Sequence, residues 1–173
     1  MADLIIELLS RDRIRSVFPL VREAVATIDL ATWLRFARQL TAPRRVGQCG
    51  IVTVRRDGRT FPCGLFCYRV EHDLSLGKVL TADHFVAVDL LDPEAVLAAL
   101  VGELDVLAER LGCGAVRSLV HGGAPTVAGG LYAAGHRPEG AMPLVKKLPG
   151  GPCAAASPGG SRGMRSVSPA SLG

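Results

Sequence analysis

The apolar positions Leu4, Ile5, Ile6, Leu8 and Leu9 form a short β-type run. From Ile14 the spacing changes: Ile14, Val17, Phe18, Val21 and Val25 recur every three or four residues, which predicts a helix to about Ala26 with one apolar face. Ser10 and Asp12 are its candidate caps, and Pro19 inside it predicts a kink or a later start. A second helical pattern, 30–40, carries Trp33, Leu34, Phe36, Ala37 and Leu40 and ends before Pro43. From Gly50 the period shortens to two. Ile51, Val52 and Val54 predict a strand, Asp57-Gly58 a hairpin turn, 61–70 its partner, Ser75-Leu76-Gly77 a second turn, and 78–90 a third strand. Three strands joined by short turns make an antiparallel meander.

Asp92-Pro93 then predicts a helix start, since aspartate accepts from the orphan N–H groups and proline suits the first helical position. Val96, Leu97, Leu100, Val101, Leu104, Leu107 and Leu111 continue that helix to Gly112. Residues 115–120 read as a strand, so strand, helix and strand form a parallel, right-handed crossover. A small-residue helix over 126–134 ends at Gly135, and Ala141, Met142, Leu144 and Val145 predict a last strand that closes in Lys146 and Lys147.

Length and charge narrow the picture. With 173 residues, 49% hydrophobic and 21% charged, the chain supports one core rather than two. After Leu148, glycine, proline, serine and alanine dominate, too little apolar surface to offset ordering entropy, so the expected organisation is a domain over 1–148 and a disordered tail over 149–173. The net charge of +4 falls to +2 on residues 1–148 once Arg162 and Arg165 are set aside, and aromatics are too sparse for a stacking platform, so nucleic acid is not an expected partner. No apolar run reaches the roughly 18 residues of a membrane span, and Asp3 and Glu7 interrupt the first run, which argues against a signal peptide. The expected setting is cytoplasmic, with no membrane partner. Cys49, Cys63, Cys67, Cys113 and Cys153 lack paired spacing. Cys63 and Cys67 are expected to share one strand face, and free buried thiols, without a metal site, are the expected state.

The order β, α, α, β, β, β, α, β, α, β, with Gly135-His136-Arg137-Pro138 and the closing Lys146-Lys147-Leu148, resembles the GNAT family of N-acetyltransferases over residues 4–148. Composition and periodicity license only a mixed α/β sheet. The resemblance implies a mostly antiparallel twisted sheet with helices on both faces. It also implies acetyl-CoA as cosubstrate and a small-molecule or protein amine as acceptor, with a homodimer left open. In that family the cosubstrate's arm runs along the fourth strand, here represented by Val86 and Val88, and its diphosphate meets the next helix start.

The family's Arg/Gln-x-x-Gly-x-Gly/Ala loop falls on Asp92, Pro93, Glu94, Ala95, Val96 and Leu97, with both glycines absent and two carboxylates present. The expectation is weakened binding through the backbone N–H groups of Glu94, Ala95, Val96 and Leu97. The family's acid tyrosine corresponds to Leu131, whereas this chain has Tyr132, about 100° round the helix. Tyr132 is the candidate acid. Asp83 and His84 are the candidate base pair, with Asp89, Glu71 and His72 nearby in sequence. Trp33 is either acceptor lining, as the resemblance implies, or core, as its helix pattern implies. His121, at the end of the fifth strand, is a candidate substrate contact. Two functions follow: acetyl-CoA-dependent N-acyl transfer to an amine, or the same fold kept as a non-catalytic ligand-binding or protein-interaction module.

Overall fold

The computed structural model describes residues 3–89, 92–120 and 125–139, all within one unit, Met1–Met142. The predicted strand over 141–145, the tail and His121 lie outside the described residues. Five strands form one sheet in sequence order: β1 (Leu4–Leu8), β2 (Cys49–Arg56), β3 (Gly64–Asp73), β4 (Gly77–Ala87) and β5 (Ala115–Ser118). The first four pair antiparallel and β5 runs parallel to β4. Parallel neighbours need a crossover, and the helix α3 (Pro93–Arg110) supplies it.

The sheet is buried on both faces. Against one face lie α3 and α4 (Pro125–Ala133), where Val96, Leu100, Leu104 and Leu131 meet Val54, Phe66, Leu80 and Phe85. Against the other lie α1 (Phe18–Ala24) and α2 (Leu30–Leu40), where Val17, Leu20, Trp33 and Ala37 meet Ile51, Leu65, Cys67 and Val86. The expected mixed, mostly antiparallel sheet with helices on both faces is the observed one.

Local departures have local causes. Residues 11–13 form a 3-10 turn and α1 begins only at Phe18, with Pro19 in its first turn, where the missing N–H costs nothing. The helix α2 begins at Leu30 because the Asp29 carboxylate accepts from the Thr32 amide at 2.7 Å. Cys63 and Cys67 do not share a face. Cys63 precedes β3 and packs toward α3, whereas Cys67 sits on the α2 side.

The departure that matters most lies in β4. Leu65 pairs with Val86 and Cys67 with Asp83, so Phe66 alone faces two residues, His84 and Phe85. This is a β-bulge, and His84 takes the extra turn at φ 54°, the one non-glycine residue with positive φ among those described. The bulge resets the alternation of side chains. Leu80 and Ala82 face α3, and Phe85 rather than His84 continues that row, while Val86 drops onto the α2 side.

Candidate functional site

β5 pairs with β4 only from Val79 to Ala82, ending at Ser118, with one further bond from the Leu119 amide to the Ala82 carbonyl. β4 continues through Ala87, and among the described residues no strand pairs with its outer edge beyond Ala82. The bulge therefore sits where the two strands part company. The Val88 amide donates to the Cys63 carbonyl at 2.7 Å, so the backbone groups of Val88, and by alternation those of Val86, serve β3. Those of Ala87 turn outward. The outward-facing backbone groups therefore belong to Ala87 and not to Val86 or Val88, the residues expected to meet the cosubstrate's arm. Val86 contributes its side chain to the α2-side core, and Val88 is exposed. Two buried polar atoms lack a hydrogen-bond partner at this junction: Oγ of Ser118, at the last paired position, and Oδ1 of Asp83, one residue beyond it.

Asp83 lies on the α2 side of the sheet, opposite Cys67. Its Oδ2 accepts from Nη1 of Arg69 at 3.3 Å and lies 3.8 Å from Nε2 of His84. The His84 ring meets Phe36 of α2 edge-on, with centroids 5.6 Å apart and planes at 84°, and the Arg69 guanidinium stands 5.8 Å from the same Phe36 ring. Burial, aided by the Asp83 carboxylate, pushes the Cys67 thiol far up, so it stays protonated and is no nucleophile. The side chain of Thr81, also on this side, donates to Glu71 at 2.8 Å.

The structure thus brings Asp83 and His84 together and adds Phe36 and Arg69. Phe36 reads in sequence as one more apolar helix position. Arg69 becomes visible only once the register of β3 against β4 places it near Asp83.

Trp33 is core. It is 2% exposed, and its indole N–H is spent on the Ile14 carbonyl at 2.6 Å; the neighbouring Phe36 faces the site instead. Tyr132 is half exposed, while Leu131 beside it is buried against the α3 layer. The helix α4 belongs to the face opposite Phe36, and Tyr132 is not gathered with Asp83 and His84. Glu71 and His72 are both exposed at the far end of β3.

At the start of α3 the expectation of free N–H groups changes. The Asp92 carboxylate accepts from the Ala95 amide at 2.9 Å, and its carbonyl accepts from Val96 at 3.4 Å. The Val96 and Leu97 side chains are core. Asp92 is itself held by Asp89, which accepts from its amide at 3.1 Å and binds Nε of Arg56 at 2.6 Å. The carboxylates of Asp89 and Asp92 therefore share the surroundings of one guanidinium, whose Nη2 is buried without a partner, and Glu94 adds a third acidic residue in the first turn of α3. The residues fit the arm of a CoA thioester along the Ala87 edge. They fit its diphosphate poorly. Among the described residues no group of three or more His, Cys, Asp or Glu side chains is placed to hold a metal ion, and no helix is long and apolar enough to cross a membrane.

No family model matches the chain, and no curated protein matches it by sequence. Solved structures do match it in three dimensions. The aminoglycoside N-acetyltransferase AAC(6')-Iy in complex with CoA superposes with a TM-score of 0.71 at 11% identity, covering 85% of this chain and 96% of that one. The ribosomal-protein-alanine N-acetyltransferase from Brucella melitensis biovar Abortus 2308 gives 0.67 at 14% identity, covering 84% and 100%. The glucosamine-6-phosphate N-acetyltransferase from Arabidopsis thaliana gives 0.65 at 12%, covering 84% and 99%. The chain has the GNAT acetyltransferase fold.

Proposed function

We propose that this protein transfers an acetyl group from acetyl-CoA to an amine by direct attack, with His84 as the base. The observation that carries this reading is the bulge: it sets a strained histidine beside a carboxylate with an unmet oxygen, at the point where β4 leaves β5. Strain at φ 54° persists only where surrounding structure enforces it, and such outliers cluster at functional sites.

Acetyl-CoA supplies an activated thioester carbonyl. The chain supplies the rest. The outward amide and carbonyl of Ala87 hold the arm of the cosubstrate along the β4 edge, as a strand would. The acceptor approaches from the α2 side, between Phe36 and β4, where the Asp83 carboxylate favours an amine and the Phe36 ring, already facing Arg69, walls the approach. His84 takes one proton from the ammonium, leaving a lone pair for attack on the carbonyl carbon; as the C–S bond then breaks, the nitrogen releases its second proton to solvent. Asp83, within ion-pair distance, stabilises the imidazolium that results. Arg69 keeps the carboxylate oriented through its single hydrogen bond. The half-exposed Tyr132 lies in the other layer, and the departing thiolate is protonated by solvent or by the imidazolium.

A second reading rests on the start of α3. With its cap closed by Asp92 and Glu94 beside it, this helix start taken alone favours a module that binds no CoA. Calorimetric titration with acetyl-CoA separates the two. Micromolar binding followed by thiol release in the presence of amines supports the enzyme; no heat at millimolar ligand supports the module.

A further inference from the structure

The reaction proposed above uses the flank of α2 that carries Phe36. The opposite flank borders an open cleft of about 470 Å³ between that helix and the 11–15 segment, lined by Arg11, Asp12, Ile14, Arg15, Leu34 and Arg38. At about 100° per residue, Leu34 and Arg38 lie roughly 40° apart on α2 and roughly 160° from Phe36, so this cleft is distinct from the acceptor approach.

Its charge is unbalanced. Among the described residues none of Arg11, Arg15 and Arg38 makes an ion pair. The intervening Arg13 behaves differently, pairing with Glu7 and donating to the Thr60 carbonyl at 3.3 Å. Asp12 is the one acidic residue of the lining. Hydrogen bonds from Ser10 and from its own amide hold its carboxyl below the usual range, so it stays ionised and partly engaged locally. Three guanidinium groups against one carboxylate leave a surplus of two positive charges. The segregation extends further: residues 11–45 hold eight arginines against three acidic residues, a net +5, whereas the whole chain carries +4. The basic character of the protein is thus confined to its helical α1–α2 layer and is not a general surface property.

We propose that this cleft binds a small organic diphosphate ester. Guanidinium forks pair with phosphate oxygens two at a time, and a group with two phosphates engages three of them while matching a surplus of two charges. The volume lies in the range of small-molecule sites, and the partly exposed Leu34 gives the organic portion of an ester an apolar contact that a bare ion would not need. The inference does not depend on the acetyl-transfer reading, since no residue of the cleft takes part in it.

The test is calorimetric titration of the full chain with pyrophosphate and, separately, sulfate, at low salt. Pyrophosphate is expected to bind saturably and more tightly than sulfate, weakening as salt is raised. Arg38→Gln and Arg15→Gln are each expected to weaken pyrophosphate about tenfold, the loss of one charge-assisted contact. Asp12→Asn is expected to tighten it, a gain that misfolding cannot produce. Equal affinity in wild type, Arg38→Gln and Asp12→Asn would overturn the proposal by placing the ion elsewhere. Sulfate binding as tightly as pyrophosphate, or no pyrophosphate binding at millimolar concentration, would overturn it as well.

Discussion

Arg69 and Asp83 share one hydrogen bond of 3.3 Å through Oδ2, and the other oxygen of Asp83 is buried with no partner. A buried acceptor left unmet costs stability, on the order of 1–3 kcal/mol. With Asp83 supporting the imidazolium of His84, Asp83→Asn is expected to lower kcat/KM by about 100-fold, within the range for lost acid–base assistance. Its melting midpoint stays at or above wild type. A variant that melts lower and acetylates normally would assign Asp83 to structure alone. Steady-state thiol release and thermal denaturation provide the two readings.

The backbone at His84 separates strain from chemistry. Glycine accepts φ 54° freely, whereas an L-residue in the left-handed region costs roughly 1 kcal/mol. His84→Gly is therefore expected to be about 1 kcal/mol more stable to urea than His84→Ala. Both are expected to lose acetyl transfer to the same extent, because both lack the imidazole. An active His84→Gly enzyme would remove the histidine from the mechanism.

At the start of α3, stability and affinity should move in opposite directions. Asp92→Ala removes the bond to the Ala95 amide and is expected to cost about 1 kcal/mol of stability, while removing a carboxylate from the cosubstrate's diphosphate end. Acetyl-CoA is then expected to bind more tightly. Asp92→Ser keeps a capping oxygen without the charge, so it should gain the affinity without the loss. Chemical denaturation and calorimetry on the two variants check both signs.

Gly64 opens β3 directly beneath α3. A Cβ there would lie 2.6 Å from Val96 Cγ1 and 3.2 Å from the Val86 carbonyl oxygen. Gly64→Ala should destabilise the domain by about 1–3 kcal/mol through overpacking. Adding Val96→Ala to Gly64→Ala should recover part of the loss, as a urea double-mutant cycle would reveal.

Among the described residues, Asp73 shows the largest contribution to acid sensitivity. The Arg117 guanidinium, with the Ser75 and Leu76 amides, holds the Asp73 carboxyl down at about 2 against an ordinary 3.8. Because the folded value lies below the unfolded one, the contribution is complete above about 3.8 and disappears as pH falls toward about 2. Arg117→Gln should flatten the stability profile across that window and leave it unchanged in shape near neutrality. Denaturant midpoints measured at a series of pH values give the comparison.

Most of the sheet was legible in the chain because period-two and period-3.6 patterns are printed in the side chains. The span of α2, the Asp92-Pro93 start of α3 and the glycine stop at Gly135 all came from local chemistry. Two kinds of feature did not. Pro19 announced a disturbance but not its form, because a late start and a kink share one sequence signal. The bulge at His84 has no local signature, since histidine is neither turn-forming nor small. It follows from how Leu65 and Cys67 register against the neighbouring strand, a long-range relationship. Two of the differences at the candidate site trace to it and to helix burial: Ala87 rather than Val86 or Val88 turns its backbone outward, and Phe36 rather than Trp33 lies beside His84.

The extra residue in β4 also bears on how that stretch can be shortened. Dropping His84 would let Asp83 run straight into Phe85 and return the strand to plain alternation, with Phe85 still opposite Phe66 and Val86 still opposite Leu65. Both layers would keep their packing partners, and only the imidazole beside Asp83 would be lost, so packing alone does not require the extra residue. A chain shortened by this one residue should therefore still fold, and whatever it loses is what the histidine does.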